Sequence, residues 1–327
     1  MSNMDADRMF SRQSVLSEIF RGMGSDEGEA ALLAKARSIP RELMDLSALH
    51  HGVPQAHLEI HHALTQGQPN VFMEQLGEVD GLLKTGDVVL MGGNAGLVLA
   101  QKGIYMQVRS SHVAVVHSDM MCVDAMPKIG TTHRPISSVL ANAGEDWRVI
   151  RFKPLQEEER IAVGRACGFY LAQPYKIRRS RKAAQQYGYC SELARKVYLE
   201  TGIKKTGIPE TSIIAPAHFD RLADEGGNWD DVTDEVTPAV EFCTRYEGLI
   251  KVATALFVEG FKLNRKRFEQ RGQWITQIQK AAREGRITAE QAGQQLRMIR
   301  EAEAQLNHRF WDSEYPTMRR PNPAASS

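Results

Sequence analysis

The segment SSHVAVVHSDMMCVDAM, Ser110–Met126, sets two runs of small and β-branched residues on either side of a polar turn at His117, Ser118 and Asp119. Such a pattern predicts a β-hairpin. Its register decides what it can carry. With a three-residue loop, Val116 pairs with Met120, Ala114 with Cys122 and His112 with Asp124. Opposed residues share a face, with Cβ atoms about 4.5–5.5 Å apart. This register therefore sets an imidazole beside a carboxylate. One more loop residue would turn Asp124 to the other face.

A second stretch supplies a partner. QQYGYCSELARKVY, Gln185–Tyr198, places Cys190 between an aromatic-glycine turn and a helix whose apolar face is Leu193, Ala194 and Val197. Gly202 caps its far end. The first turn of a helix holds unsatisfied N–H groups and a partial positive charge. A thiol there drops from about 8.5 towards 3.5–7.5. The same N–H groups suit an oxyanion. A thiolate also needs a histidine to stabilise it and to protonate a leaving group. His112 is the candidate, with Asp124 to orient the ring.

The rest of the chain frames these two blocks. Residues 1–81 read as a helical region, with Leu32, Leu33, Ala36, Ile39, Leu43 and Leu46 at helical spacing and a break at Pro40. Residues 82–225 mix strands and helices. The strand of TGDVVL opens the block and that of WRVIRFKPL follows the hairpin; the helix of EEERIAVGRACGFYLAQ ends before Pro174. Residues 235–311, beyond Pro238, read as a helical arm or hairpin, striped by Phe242, Tyr246, Leu249, Ile250, Ala253, Leu256 and Phe257. Thr288 with Gln291 is a capping box for the final helix. Residues 312–327 read as a disordered tail.

Composition narrows the function. The chain has 327 residues, with 41 basic and 40 acidic side chains, so no charge excess points to nucleic acid or an anionic surface. The four cysteines, Cys122, Cys167, Cys190 and Cys243, form no C-x-x-C pair and are read as reduced thiols. His57 and His61 lie at i, i+4 within the His50–His62 cluster, but nothing nearby completes a metal site, and an exposed polar face is expected. No metal and no cofactor are expected; MGGNAG lacks the lysine of a phosphate loop. The first residues lack a secretory h-region, and no apolar run reaches membrane-spanning length. The expectation is a protein without a signal peptide or transmembrane segment, cytoplasmic as synthesised, with export only by a leaderless route.

In order, TGDVVL, SSHVAVV, CVDAMPKIG, QPYKI, YGYCSELARKVY and IIAPAHF resemble the blocks of the permuted papain-like cysteine amidases of the NlpC superfamily, the YiiX/YaeF-like group. In that group the histidine strand precedes the cysteine helix, as here. The resemblance covers about residues 84–222. It implies an α+β, circularly permuted papain-like fold, with a small antiparallel sheet packed on the cysteine helix and helical regions on either side. It implies Cys190 as nucleophile, His112 as general base and acid, and Asp124 as orienting group where the group commonly has glutamate. Tyr175 matches a recurrent tyrosine of the group, and Tyr189 and Ser191 sit where substrate or an oxyanion would bind. The implied activity is hydrolysis of an amide or related acyl bond, in a cell-wall peptide or a lipid. A lipid acyltransferase or phospholipase of the same fold is the alternative, as is a non-catalytic protein that binds a protein partner through its helical flanks.

Overall fold

The protein's structure, a computed structural model, describes residue 34 and residues 37–118, 120–178 and 188–304. Its strands are β1 (Val88–Met91), β2 (His112–Ser118), β3 (Met121–Met126), β4 (Gly130–Pro135), β5 (Trp147–Phe152) and β6 (Trp229–Asp231). They form one sheet in the order β4-β3-β2-β1-β5-β6, every neighbour antiparallel. The helices before the hairpin are α1 (Arg41–His50), α2 (Leu58–Gln66), α3 (Val71–Val79) and α4 (Ala95–Gln101). Those after it are α5 (Ile136–Leu140), α6 (Glu157–Tyr170), α7 (Cys190–Glu200), α8 (Pro216–Glu225), α9 (Thr233–Arg245), α10 (Glu247–Arg283) and α11 (Ala289–Ala304). The fold is a mixed α+β arrangement of helices on an antiparallel sheet.

Both faces of the central strands are buried, which is why β1 and β2 read as nearly continuous apolar runs. Val88, Leu90, Val113, Val115 and Val123 face α6, α7 and α8. Val89, Met91, Ala114, Val116 and Cys122 face α3, α5, α9 and the start of α10. Each large apolar side chain buried this way contributes about 1.5–3 kcal/mol. The helical flanks, with α5, therefore cover one face of the central strands. The expected boundary at residue 225 cuts through the sheet, because β6 beyond it pairs with β5.

The TGD turn ties β1 to both faces. Gly86 has φ +95 and accepts the Tyr198 hydroxyl on its carbonyl, while a Cβ there would lie 2.8 Å from Leu155. Asp87 is fully buried, and Arg151 reaches both of its oxygens at 2.8 and 2.6 Å.

Several helical expectations shift. On α1 the buried side chains are Met44 and Ala48, whereas Ile39, Leu43 and Leu46 are exposed; Leu32, Leu33 and Ala36 lie outside the described residues. The buried side of α1, which joins the core through Ala48, lies one step round the helix from the predicted stripe. His57 and His61 are half-buried rather than exposed, and His57 packs on Tyr246 with ring centroids 5.3 Å apart. Pro238 lies inside α9 rather than before it. A proline at the sixth helical position removes one early backbone bond, an interruption that packing against the sheet tolerates. Phe242, Tyr246, Leu249 and Ile250 are buried as expected, and the side chains of Leu256 and Phe257 lie outside the described residues. Thr288 and Gln291 exchange reciprocal hydrogen bonds of 2.9 and 3.1 Å at the start of α11. The expected tail, 312–327, also lies outside the described residues.

Candidate active site

Cys190 is the first residue of α7. The preceding chain is fastened in place. Gly188 bridges to Tyr175, donating to the Pro174 carbonyl at 3.2 Å and accepting from Lys176 N–H at 2.9 Å. A Cβ on Gly188 would lie 3.0 Å from the Nζ of buried Lys196, a tight approach that the lysine end would have to yield to. Lys196 in turn donates to Gln173 at 2.9 Å and sits 4.8 Å over the Tyr170 ring. Tyr189 is extended, at φ −131, and no side chain caps the helix. The N-cap side chain thus offers no acceptor to the first-turn N–H groups.

The thiol is buried, which alone would raise its pKa. The charge of His112 and a hydrogen bond with it, the Val113 N–H and the Ser191 hydroxyl outweigh burial and hold the thiol below its ordinary value. The His112 imidazole moves the opposite way. Burial disfavours its charged form, but the Cys190 thiolate and the Asp124 hydrogen bond raise it to about 10. Each partner favours the charged form of the other, as in a thiolate–imidazolium pair. The remaining cysteines are buried and free, and burial raises the thiol pKa of each.

Asp124 lies 2.9 Å from His112 Nε2 through Oδ2. With Nε2 taken, Nδ1 is the nitrogen that remains for the thiol. The contact forms in a register other than the expected one. Ala114, not His112, stands opposite Asp124; Val116 stands opposite Cys122; Ser118 pairs with Met121 across a bulge between Val116 and Ser118. The loop is tighter than three residues, and β3 slides by two. A two-residue slip preserves the face, so Asp124 becomes the diagonal neighbour of His112, still within reach of a long side chain. The cysteine helix also packs on the side of Val113 and Val115, opposite to that of Ala114 and Val116. His112 meets the thiol at the end of β2 rather than across a strand face.

Asp124 is fully buried and its charge is matched by more than the histidine. Thr132 donates to Oδ1 at 2.6 Å; Arg134 donates to Oδ1 through Nε at 3.3 Å and to Oδ2 through Nη2 at 2.6 Å. Against burial, the hydrogen bonds and charges of His112 and Arg134 hold the carboxyl well below the usual carboxylate range. Thr132 and Arg134 escaped the sequence reading. The signal was GTTHRP, a run of β-extended residues after a turn, whose strand pairs Thr132 with Asp124.

The secondary candidates separate. Tyr175 is half-buried, and burial and the negative charge of nearby Cys190 raise its hydroxyl pKa. Tyr189 is buried, and its hydroxyl accepts from Ile214 N–H at 3.0 Å, which ties the loop before α8 to the helix entry. Ser191 is fully buried with Oγ 3.9 Å from the Cys190 sulfur, so it touches the thiol rather than bulk solvent. A cavity of about 720 Å³ lies elsewhere, lined by Phe72, Leu76, His117, His133, Ala239 and Ile250. It opens at the far end of β2 from His112 and on the face away from α7. Among the described residues no three histidine, cysteine or acidic side chains are grouped to hold a metal, and no helix is long and apolar enough to cross a membrane.

No protein-family model and no curated protein matches the chain. One solved structure does, the metalloprotein YiiX of Escherichia coli O157:H7. The match has 19% sequence identity and a TM-score of 0.33, and covers 47% of this chain and 92% of that one. That score is too low to equate the two folds.

Proposed function

We propose that the protein is a cysteine hydrolase with a permuted papain-like arrangement, cleaving an amide or related acyl bond through an acyl-enzyme on Cys190. The observation that carries this reading is the set formed by an uncapped helix start bearing Cys190, an imidazole on its thiol, and a buried carboxylate 2.9 Å from the distal ring nitrogen.

The chemistry follows from the positions. The Cys190 thiolate attacks the acyl carbon, and the carbonyl electron pair moves to oxygen. The N–H groups at the start of α7 face that oxyanion. As the tetrahedral species collapses, the bond to the leaving group breaks and the leaving group takes the proton from His112. His112, now neutral, accepts a proton from water as the water attacks the thioester. The sulfur leaves as thiolate beside a reprotonated imidazole, which restores the starting pair. Asp124 holds the ring so that one nitrogen faces the sulfur throughout.

The test has two stages. Iodoacetamide at neutral pH should label Cys190 and spare Cys122, Cys167 and Cys243. A screen of cell-wall peptides, peptide amides and acyl lipids should then find a substrate whose turnover is lost in Cys190→Ala. Equal labelling of all four thiols, or a Cys190→Ala protein with full turnover, would end this reading.

A further inference from the structure

We propose that Arg134 is a positioning residue of the active site, which fixes the Asp124 carboxylate by its guanidinium fork and takes up part of its charge, so that the carboxylate orients His112 without locking its proton in place; the inference rests on the hydrolase reading above.

The geometry is that of a shared anion. Asp124 Oδ2 accepts from both His112 Nε2, at 2.9 Å, and Arg134 Nη2, at 2.6 Å. Arg134 Nε reaches the other oxygen, Oδ1, at 3.3 Å, alongside the 2.6 Å bond from Thr132. A guanidinium that spans both oxygens fixes the plane of the carboxylate, which a single ammonium cannot do. Arg134 is itself anchored, since Nη1 donates to the Ser138 carbonyl of α5 at 2.8 Å. The chain from α5 through Arg134 and Asp124 to His112 is continuous, and each link is a named hydrogen bond.

Arg134 also sets the strength of the pull on the imidazole. A buried carboxylate facing an imidazole alone would favour the imidazolium by its full charge. Proton transfer to a leaving group would then be uphill. The charged and titratable groups around the ring are the Cys190 thiol from α7, Asp124 from β3 and, through Asp124, Arg134 from β4. Cys122, next but one on β3, titrates too high to contribute charge near neutral pH. Tyr175, near the thiol, keeps its proton there as well. Arg134 is thus the one further charge, among the described residues in contact with this set, that opposes the imidazolium. Its side chain is a quarter exposed, so solvent weakens its effect without removing it.

The experiment uses the full chain and needs no substrate. The rate of Cys190 alkylation by iodoacetamide is measured against pH for the wild type, and the His112 imidazole is titrated by NMR in the wild type, Arg134→Met, Arg134→Gln, Arg134→Lys and Asp124→Asn, with melting curves to confirm folding. Removal of the Arg134 charge leaves the Asp124 carboxylate unopposed and so strengthens the imidazolium. Arg134→Met should raise the His112 pKa by about half a pH unit, a roughly threefold shift in its ionisation equilibrium. Arg134→Gln gives the same direction if the methionine variant does not fold. Arg134→Lys, which keeps the charge, should leave the titration in place, and Asp124→Asn should lower it. A His112 pKa that stays fixed or falls in both neutral variants, while Asp124→Asn lowers it, overturns the role of Arg134 and leaves the hydrolase reading intact. A wild-type Cys190 that titrates like an unperturbed thiol would instead sink the hydrolase reading itself.

Discussion

Replacing Asp124 with alanine should unbalance the structure as well as the chemistry. The carboxylate is fully buried and receives His112 Nε2, Thr132 Oγ1 and the Arg134 fork. Removal of one member of a buried ion pair typically costs about 3–5 kcal/mol, because the other is left uncompensated. Arg134 is a quarter exposed and His112 nearly so, and both can turn partly to water, so the lower end applies. A loss of about 3 kcal/mol corresponds to a Tm fall of about 6–12 °C, at roughly 2–4 °C per kcal/mol for a chain of this order of size. Asp124→Asn keeps an acceptor for Thr132 and should lose about half as much. The pH dependence has a definite sign. The carboxyl pKa is depressed on folding, so its stabilisation is present above the ordinary carboxylate range and is lost as the pH falls through the folded value. The gap in Tm between wild type and Asp124→Ala should therefore close in strong acid. Calorimetry of both proteins from neutral pH downward checks this. A variant that melts within about 2 °C of wild type at neutral pH, or a gap that widens on acidification, would refute the account of Asp124 as a charge held by three donors.

Other outcomes follow from the same geometry. Cys190→Ala should abolish acyl turnover and His112→Ala should come close to it, with Asp124→Ala less damaging once the folded fraction is corrected for, as initial rates on the screened substrate will show. Turnover should rise with pH as the Cys190–His112 pair forms, below the ordinary thiol range, and fall only as His112 loses its proton towards about pH 10; a profile that collapses near pH 7 would contradict the pairing. Gly130→Ala, at φ +92 and with its Cβ 2.4 Å from the Gln173 carbonyl oxygen, should cost about 1–3 kcal/mol by urea denaturation and displace β4 with Arg134. An unchanged denaturation midpoint there would show that β4 and the Gln173 turn do not meet.

The candidate site was legible to different depths. Cys190 at a helix start and His112 at a strand start were read from local pattern, since apolar spacing and turn residues fix where elements begin. Asp124 was found through a hairpin register that proved to be off by two residues, and it survived because a two-residue slip keeps the face. Arg134 and Thr132 were missed, because nothing in Gly130–Pro135 taken alone says which strand it pairs with. The burial of His57 was missed for the same reason: the ring it packs on, Tyr246, comes nearly two hundred residues later in the chain.

The sequence by itself determined the hairpin, the cysteine helix, the mixed α+β class and the order of histidine strand before cysteine helix, all of which depend on residues within a turn or two of one another. Tertiary structure decided the rest. It put the cysteine helix on the face of Val113 and Val115 and brought the thiol to His112 at the strand's end. It buried Asp124 and gave it a second cation. A buried charge persists only with partners, and those partners came from a third strand that meets the hairpin only once the sheet is assembled.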